Sequence, residues 1–384
     1  MTICDRKTYS LSAPSLNHEE LEACQEALEN GWLSRGPLTE KFEKELSVFT
    51  GSPYTLATSS CTAAIHLALL ALELKEGDAV LLPAITYVST LHTLLQMRLK
   101  PILVDVEAQT LNISLRDLEK KVDTNCRVLI TTDMAGIPCD YKNIQAFCRE
   151  RALFLIQDAA HSIGSTYKNQ PVGSFADATC FSFYPTKSLA SAEGGALCTP
   201  HLDIYKKTFF LHQQGIAQGA WNREYKNKLT HWEVISPGYK YNCTDLQANI
   251  ARVQLKKLPE HKKKRTALVR YYTEVLSTIK ELSLPCFSES VCFYIYPIQI
   301  KTLNRDSFAQ ALMDAGIGIG FHFLPLHWHP YFKENLPTPL QLPQAEEAGR
   351  RLLSLPLHPQ LNFEEIKKIK KIIIKTIAEL NKNW

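Results

Sequence analysis

The feature that most constrains the fold of this chain is an alternation of short apolar runs with longer helical stretches, from about residue 15 to residue 215. Strands separated by helical segments are typical of a parallel sheet with crossover helices. The sequence therefore predicts an open α/β domain. The expected strands are 79–82, 102–106, 128–131, 153–156, 178–183 and 196–199, and the expected helices are 63–74, 89–97, 115–122, 141–149 and 202–212.

The pattern changes after Pro237-Gly238, where a long helical region begins that we expect Pro259 to break. One apolar strand near 293–300 follows, with three further helices. This half predicts a smaller α+β domain. The expected division is an N-terminal arm at 1–14, a large domain at 15–243 and a small C-terminal domain at 244–384, and the last three helices are expected at 305–315, 343–353 and 363–381.

Composition excludes several classes of protein. A 384-residue chain that is 45% hydrophobic and 21% charged is ordinary for a globular protein with two domains. Neither a signal peptide nor a membrane span is visible, so we expect a cytoplasmic protein without a membrane partner. A net charge of +4 is too small to indicate nucleic acid, and the basic run at 261–265 is interpreted as a solvated helix face. Eleven cysteines without a C-x-x-C pair indicate reduced thiols and no metal site.

Lys187 is the leading candidate for chemistry. It lies in the aromatic segment Phe181–Leu189, which Glu193-Gly194-Gly195 follows. A lysine in a poorly solvated pocket loses part of its preference for the charged form, and its amine can form a Schiff base with an aldehyde. Most lysines are surface charges, so this hypothesis depends on partner residues elsewhere.

Two other segments supply such partners. Asp158 directly follows the apolar run 153–156, and the carboxyl end of a parallel strand faces the crevice where α/β folds bind ligands. Its carboxylate suits a protonated pyridine nitrogen, although acidic residues there also cap helices. The turn Thr58–Ala64 opens an apolar helix whose N-terminus can bind phosphate, with an ordinary Ser/Thr cap as the alternative.

Together these motifs resemble the DegT/StrS-type aminotransferases, which use pyridoxal 5'-phosphate (PLP) and act on sugar nucleotides. The resemblance extends from Gly31–Pro37 to Ser354–Leu357 and implies an aspartate aminotransferase-like α/β fold (PLP fold type I), with a large, mainly parallel-sheet domain and a smaller C-terminal α+β domain. The UDP-4-amino-4-deoxy-L-arabinose aminotransferase branch looks most similar, through Ala192–Gly195, Pro237–Asn242 and Gly316–Phe323.

The resemblance assigns roles around the cofactor. Lys187 matches the lysine that binds the cofactor, Asp158 the partner of the pyridine nitrogen, and His161 a residue near the ring hydroxyl; these three are the expected catalytic residues. Tyr87 matches the aromatic residue that stacks on the ring, with a core aromatic as the alternative. Ser182 matches a serine that binds the cofactor phosphate.

Further cofactor contacts come from the turn and from a second subunit. Cys61, Thr62 and Ala63 are expected to bind the phosphate, although relatives usually have glycine at position 61. Cys61 costs strain only if the backbone there is unusual. Lys240 and Asn242 fall in a segment that in relatives reaches the cofactor phosphate of the partner subunit, which implies a homodimer. Without the resemblance, Lys240 is a surface charge.

On the expected substrate side, several residues differ from those usual in the family. Asp133 and Tyr294 stand where relatives often have histidine, and we expect both to line the sugar site. Arg223, His322 and His327 are candidates for contacts to the diphosphate or sugar of an anionic nucleotide. A structural role is the alternative for each histidine.

The resemblance thus implies transfer of an amino group from L-glutamate to a UDP- or dTDP-linked 4-ketosugar, in lipopolysaccharide, other surface-glycan or amino-sugar biosynthesis. The active sites are expected at the interface of a homodimer. Two alternatives stay open. A PLP- or pyridoxamine phosphate-dependent sugar dehydratase shares the fold but has histidine in place of the lysine, and a noncatalytic PLP-binding regulatory homologue would keep only the pocket.

Overall fold

The computed structural model describes residues 9–216, 233–336 and 340–382. Strands and helices alternate through its first half, as expected, and a smaller antiparallel sheet follows in the second half. The strands are β1 Tyr54–Thr58, β2 Ala79–Pro83, β3 Lys100–Val104, β4 Cys126–Thr132, β5 Phe154–Asp158, β6 Thr166–Tyr167, β7 Gln170–Pro171, β8 Ala178–Ser182, β9 Gly195–Thr199, β10 Leu282–Ser283, β11 Tyr296–Ile300 and β12 Leu352–Leu355.

Helices cover the sheets and connect their strands. Several begin at a side-chain cap; Ser60, for example, precedes α3 and accepts a hydrogen bond from its first turn. The helices are α1 His18–Glu29, α2 Pro37–Thr50, α3 Cys61–Ala71, α4 Val88–Gln96, α5 Leu115–Lys121, α6 Tyr141–Glu150, α7 Leu202–Leu211, α8 Asp245–Leu276, α9 Arg305–Asp314, α10 Pro330–Asn335, α11 Pro343–Arg351 and α12 Phe363–Lys382, with 3-10 turns at Met134–Gly136 and Leu326–Trp328.

The main sheet confirms the predicted α/β class. Its strand order is β1-β9-β8-β5-β4-β2-β3, and within this described sheet β9 alone runs against its neighbours. Strands such as β2 and β8 are buried along their whole length, which explains why they are apolar runs rather than alternating patterns. The parallel strands end together at one edge of the sheet.

The second sheet has the order β10-β11-β12 and is antiparallel. Its core also includes residues of α9 and α12, and the end of α8. Leu255 and Leu258, in the first half of α8, instead join the core beneath the main sheet, so one helix belongs to both cores. The exact boundaries at 14/15 and 243/244 stay predictions.

The expected helix break at Pro259 is wrong. Helix α8 runs through Pro259 without ending. A proline inside a helix removes one hydrogen bond and costs about 3 kcal/mol. Here Leu258 before it and His261 and Arg265 after it are all buried, and this packing on both sides of the proline holds the helix together.

Two properties of the described residues bear on function. No helix among them is both long and apolar enough to cross a membrane. The same ranges contain no group of three or more His, Cys, Asp or Glu side chains that could hold a metal ion.

Candidate active site

A cavity of about 520 Å³ lies where the parallel strands end. Thr132, Asp158 and Ser182 line it, and they are the last residues of β4, β5 and β8. The register pairs Thr132 with Asp158, so these ends lie side by side. The carboxyl edge of a parallel sheet is the usual ligand site of open α/β folds. Lys187, in the loop after β8, and Tyr294, just before β11, line the same cavity.

Lys187 is held between its own loop and the small-sheet region. Its backbone amide donates to the carbonyl of Tyr184 in a tight turn, 2.8 Å apart. Its Nζ lies 4.2 Å from the centroid of the Tyr294 ring, which is a cation–π distance. The Tyr294 hydroxyl is 2.9 Å from Thr186 Oγ1, and the Tyr294 amide donates to the carbonyl of Ala135. The lysine amine therefore has a fixed resting place.

Asp158 presents a buried carboxylate to the cavity. Its Oδ2 accepts a hydrogen bond from Thr90 Oγ1 at 3.2 Å, and its Oδ1 accepts one from the Ala160 amide at 3.1 Å. The Cys61 thiol lies 3.8 Å from Oδ1. Burial raises the pKa of Asp158, while these donors and the charge of Lys187 act in the opposite direction. A cationic partner in the cavity would stabilise the ionised form.

His161 lies between the two parts of the site. Its ring packs against Tyr294, with centroids 4.5 Å apart, and against Phe323 at 5.7 Å. Burial lowers the pKa of His161 well below its ordinary value, and the charges of Lys187 and His322 lower it further. Burial and Lys187 likewise lower the pKa of His322 to about 4. Both imidazoles are therefore neutral at physiological pH and can accept as well as donate a hydrogen bond.

The N-terminus of α3 forms the predicted phosphate turn. Ser60 Oγ accepts a hydrogen bond from the Ala63 amide at 3.1 Å, so the Ala63 amide is already used. The amides of Cys61 and Thr62 belong to the first turn, where no intrahelical acceptor exists. Both residues line the cavity, and Ser182 lies there with them. The amides of Cys61 and Thr62, the Ser182 hydroxyl and the helix dipole thus suit a phosphate. The expected contribution of the Ala63 amide is missing, because that amide is bonded to Ser60.

The backbone explains how cysteine is accommodated at position 61. Cys61 is the first residue of α3, and its φ is not positive, so it costs little strain. The close approach that demands glycine occurs instead at Gly195. A Cβ there would overlap the backbone of Ser60 and Cys61, because β9 passes directly beside the turn.

These residues fit PLP. A carboxylate for the ring nitrogen, an amine for the aldehyde and helix amides for the phosphate all line one cavity. His161 has a buried Nδ1 without a hydrogen-bond partner among the described residues, which a cofactor oxygen can satisfy. Tyr87 also lines the cavity, with its ring 5.8 Å from that of Phe323. Its stacking role stays a prediction.

Asp133 does not lie where we expected it. It is fully buried and is not part of the cavity lining. One carboxylate oxygen accepts from the Tyr141 hydroxyl at 2.6 Å and the Cys139 amide at 3.0 Å; the other accepts from Gln157 and Ser162, each at 2.7 Å. Four donors saturate the carboxylate, so it is unavailable to a sugar. Burial raises the pKa of Asp133, and these donors oppose the rise.

The other predicted substrate and interface residues divide into four groups. Tyr294 and His322 line the cavity, whereas His327 lies in a second cavity beside Trp328, with Nε2 3.5 Å from Glu346. Lys240 and Asn242 are outside the lining of the cavity in their own chain, and Lys240 is exposed. Their contact with the cofactor phosphate of a partner subunit stays a prediction. The remaining candidate, Arg223, lies outside the described residues.

Several residues that line the cavity or contact Asp158 were not predicted from the sequence. Thr90, which donates to Asp158, lies one helical turn after Tyr87, and this i,i+3 spacing is the signal that could have found it. Leu11 and Ser12 also line the cavity. No local pattern predicts them, because their positions depend on pairing with distant parts of the chain.

The fold and this constellation define the class: a PLP enzyme of the aspartate aminotransferase fold. The profile of the DegT/DnrJ/EryC1/StrS aminotransferase family matches residues 14–374, and the chain belongs to this family. Its structural neighbours include sugar aminotransferases solved with PLP and with pyridoxamine phosphate, and PLP is the cofactor.

Relatives and solved structures agree with this assignment. The chain is 36% identical to the spore coat polysaccharide biosynthesis protein SpsC of Bacillus subtilis over 363 residues, which is 92% of this chain and 93% of SpsC. It is 33% identical to the uncharacterized protein MJ1066 of Methanocaldococcus jannaschii, over 95% and 97% of the two chains.

The solved structures cover nearly the whole fold. Spr1654 of Streptococcus pneumoniae, described as a sugar aminotransferase, superposes with a TM-score of 0.90 at 28% identity, over 96% of this chain and 99% of its own. PseC of Helicobacter pylori, an aminotransferase of pseudoaminic acid biosynthesis, gives a TM-score of 0.87 at 25% identity, over 97% and 99%. The arabinose branch stays a prediction.

Proposed function

We propose that this aminotransferase moves the amino group of L-glutamate to a nucleotide-linked ketosugar, a UDP- or dTDP-4-ketosugar, in the biosynthesis of an amino sugar for a surface glycan. The observation that carries the proposal is the meeting of Lys187, Asp158 and the α3 amides at one cavity. The sugar comes from the relatives, since SpsC, Spr1654 and PseC are all named for saccharide biosynthesis or sugar transamination.

Each residue has a distinct task in this proposal. When bound, PLP supplies an electron sink that stabilises negative charge on the substrate carbon. Asp158 would pair with the ring nitrogen and favour its protonated form. The amides of Cys61 and Thr62, with Ser182, hold the phosphate. His161, neutral because burial lowers its pKa, would hydrogen-bond the ring hydroxyl.

Lys187 moves the proton. Once its amine is free, Nζ would take the proton from the α-carbon of glutamate as a general base and deliver it to the former aldehyde carbon of the cofactor. In the second half-reaction, Nζ would move a proton back from that carbon to the former carbonyl carbon of the sugar. The Tyr294 ring, 4.2 Å from Nζ, holds the amine over the site while it is free. The presence of lysine here favours transamination over the dehydratase alternative.

The proposal is tested in two steps. Purified protein loaded with PLP should form 2-oxoglutarate from L-glutamate with a spectral change, and borohydride should fix the cofactor to Lys187, located by peptide mass. A noncatalytic homologue would bind PLP but show no glutamate-dependent change. The Lys187→Ala protein should lose at least about 100-fold in rate, the lower range for a general base. Wild-type turnover in that variant would exclude the assigned role, and Lys168→Ala, an exposed lysine, is the matched control.

The second step identifies the acceptor. The enzyme and glutamate are assayed against a panel of UDP- and dTDP-linked 4-ketosugars, with products read by mass. Amination of the UDP-4-ketopentose alone supports the arabinose branch, and preference for a 4-keto-6-deoxyhexose rejects it. A loss of water from the sugar without gain of nitrogen would instead support the dehydratase.

A further inference from the structure

A short N-terminal segment contributes to the cavity. Leu11 and Ser12 line it together with Lys187, although both precede the first helix. Within the predicted N-terminal arm at 1–14, residues 9–12 are called the arm from here on. Its neighbour in the cavity lining is the end of the Gly316–Phe323 segment, which supplies His322 and Phe323.

Backbone hydrogen bonds fix the arm in place. The Tyr9 amide donates to Gly316 O at 3.1 Å, and the Gly318 amide donates to Tyr9 O at 2.7 Å, as in a parallel strand pair. On the other side, the Leu357 amide donates to Leu11 O at 3.1 Å. The arm is therefore held on two sides through main-chain groups, which position Leu11 and Ser12 with little freedom.

Steric crowding explains why glycines lie opposite the arm. A Cβ on Gly318 would lie 2.5 Å from the Leu11 nitrogen, and one on Gly320 would lie 2.7 Å from Leu11 Cδ2 and 2.6 Å from the His322 ring. Real Cβ atoms do not come so close, so side chains here would push the arm or His322 away. The spacing of glycines in this segment thus fits the arm against the cavity wall.

We propose that Leu11 and Ser12 are specificity-determining residues for the ketosugar. This inference rests on the proposed function. The end of the cavity at Lys187, Asp158 and α3 would hold the cofactor, and both substrates must bring their reacting carbon to Lys187. A nucleotide sugar is much larger than glutamate and extends beyond that point. The arm offers it an apolar side chain for a sugar C–H face and a hydroxyl that forms no hydrogen bond to another described residue.

The test separates the two half-reactions. Ser12→Ala and Leu11→Ala should each raise the KM for the ketosugar at least about fivefold, within the range for one lost hydrogen bond or apolar contact. The rate and affinity of the glutamate half-reaction, followed by absorbance, should change less than about twofold. Ser10→Ala is the matched control, since Ser10 lies on the same arm outside the cavity lining. Equal effects on both half-reactions, or none on the sugar, would overturn the inference.

A second readout needs no ketosugar. Gly318→Ala should increase hydrogen exchange of the arm amides while the amides of the main sheet stay protected. With PLP bound, Leu11→Ala and Gly318→Ala should accelerate reaction with a bulky O-alkyl hydroxylamine more than with hydroxylamine itself. If the wild type aminates no sugar in the panel, the proposed function fails, and this size dependence still decides the arm. An arm variant that treats both reagents alike contradicts its place in the wall.

Discussion

Asp133 shows how one buried residue can position others that carry the chemistry. Its carboxylate accepts from Gln157 and Ser162, which are the chain neighbours of Asp158 and His161. It therefore holds both sides of the segment that carries Asp158 and His161, two of the three expected catalytic residues. A carboxyl group this deeply buried is tolerated only because all its acceptor positions are filled.

Removing this carboxylate should destabilise the protein strongly. Asp133→Ala leaves the buried donors of Tyr141, Gln157 and Ser162 without their acceptor, and we expect a loss of about 3 kcal/mol in the free energy of unfolding. Denaturant unfolding measures it. Asp314→Ala, which removes an exposed carboxylate, is the control and should change stability by less than about 0.5 kcal/mol. A loss as small as the control's would show that the buried donors find water instead.

Asp158 predicts how cofactor affinity depends on pH. Burial raises its pKa, so in the cofactor-free protein the neutral carboxyl becomes populated at higher pH than for an exposed aspartate. The protonated ring nitrogen needs the ionised form. Lowering the pH through this raised pKa should therefore weaken PLP binding, approaching tenfold per pH unit.

A PLP titration between pH 5 and 8 measures this effect. The cofactor phosphate also titrates near pH 6, so Asp158→Asn serves as the control that retains the phosphate effect. The Asn variant should bind PLP more weakly and with a flatter pH dependence. Identical slopes for the two proteins would mean that Asp158 is ionised throughout. Burial lowers the pKa of His161 well below its ordinary value, so His161 should contribute less to the pH dependence than an exposed histidine would.

Sequence reasoning located residues at strand ends better than residues in turns. Asp158 and Ser182 end buried apolar runs, and the end of such a run lies at the ligand edge of the sheet. Asp133 also follows a strand, but the chain turns sharply at Ala135, which has a φ of +58°. Asp133, just before this turn, is buried in the core. A left-handed alanine has no local sequence signal, so the position was unpredictable.

At the scale of elements, the phosphate turn depends on how closely β9 approaches α3. Strand β9 pairs with β1 so that Gly195 lies opposite Thr58. Gly195 is then beside the Ser60-Cys61 peptide, where a side chain has no room. Gly195→Ala should therefore displace the N-terminus of α3. We expect about 1–3 kcal/mol lower stability, the usual cost of overpacking, and weaker PLP binding.

Thermal unfolding and PLP titration measure the two effects together. Gly77→Ala is the control, because a Cβ at Gly77 meets open space and only its φ of +89° causes strain. It should lower stability by about 1 kcal/mol without changing PLP affinity. If Gly195→Ala keeps wild-type PLP affinity, the phosphate is held elsewhere.

Local sequence patterns predicted the wrong end for helix α11. The expected helix at 343–353 ends at Arg351, and Leu352–Leu355 forms β12. This strand pairs with β11, far away in sequence, and is completely buried. Pairing with a distant strand determines where this helix ends, just as packing keeps the helix continuous at Pro259. A short stretch of sequence shows neither effect.

For the whole molecule, the main question is whether each site is shared between subunits. Lys240 is exposed in its own chain, yet its segment runs beside the phosphate turn: the Ser59 amide donates to Tyr241 O, and Thr58 bridges to Asn242. We propose a homodimer in which Lys240 and Asn242 of each subunit reach the cofactor phosphate of the partner subunit.

Subunit mixing tests this arrangement. Lys187→Ala lacks the reacting amine and Lys240→Ala lacks the contact given to the partner, so each homodimer should be impaired at both sites. In a hybrid dimer, one site has both lysines intact and the other has neither. Random mixing makes half of the dimers hybrid, so activity should recover to about a quarter of wild type. Native mass spectrometry confirms that hybrids form. Hybrids without recovered activity would place Lys240 in its own subunit's site or outside any site, and a monomeric wild type would exclude the shared site altogether.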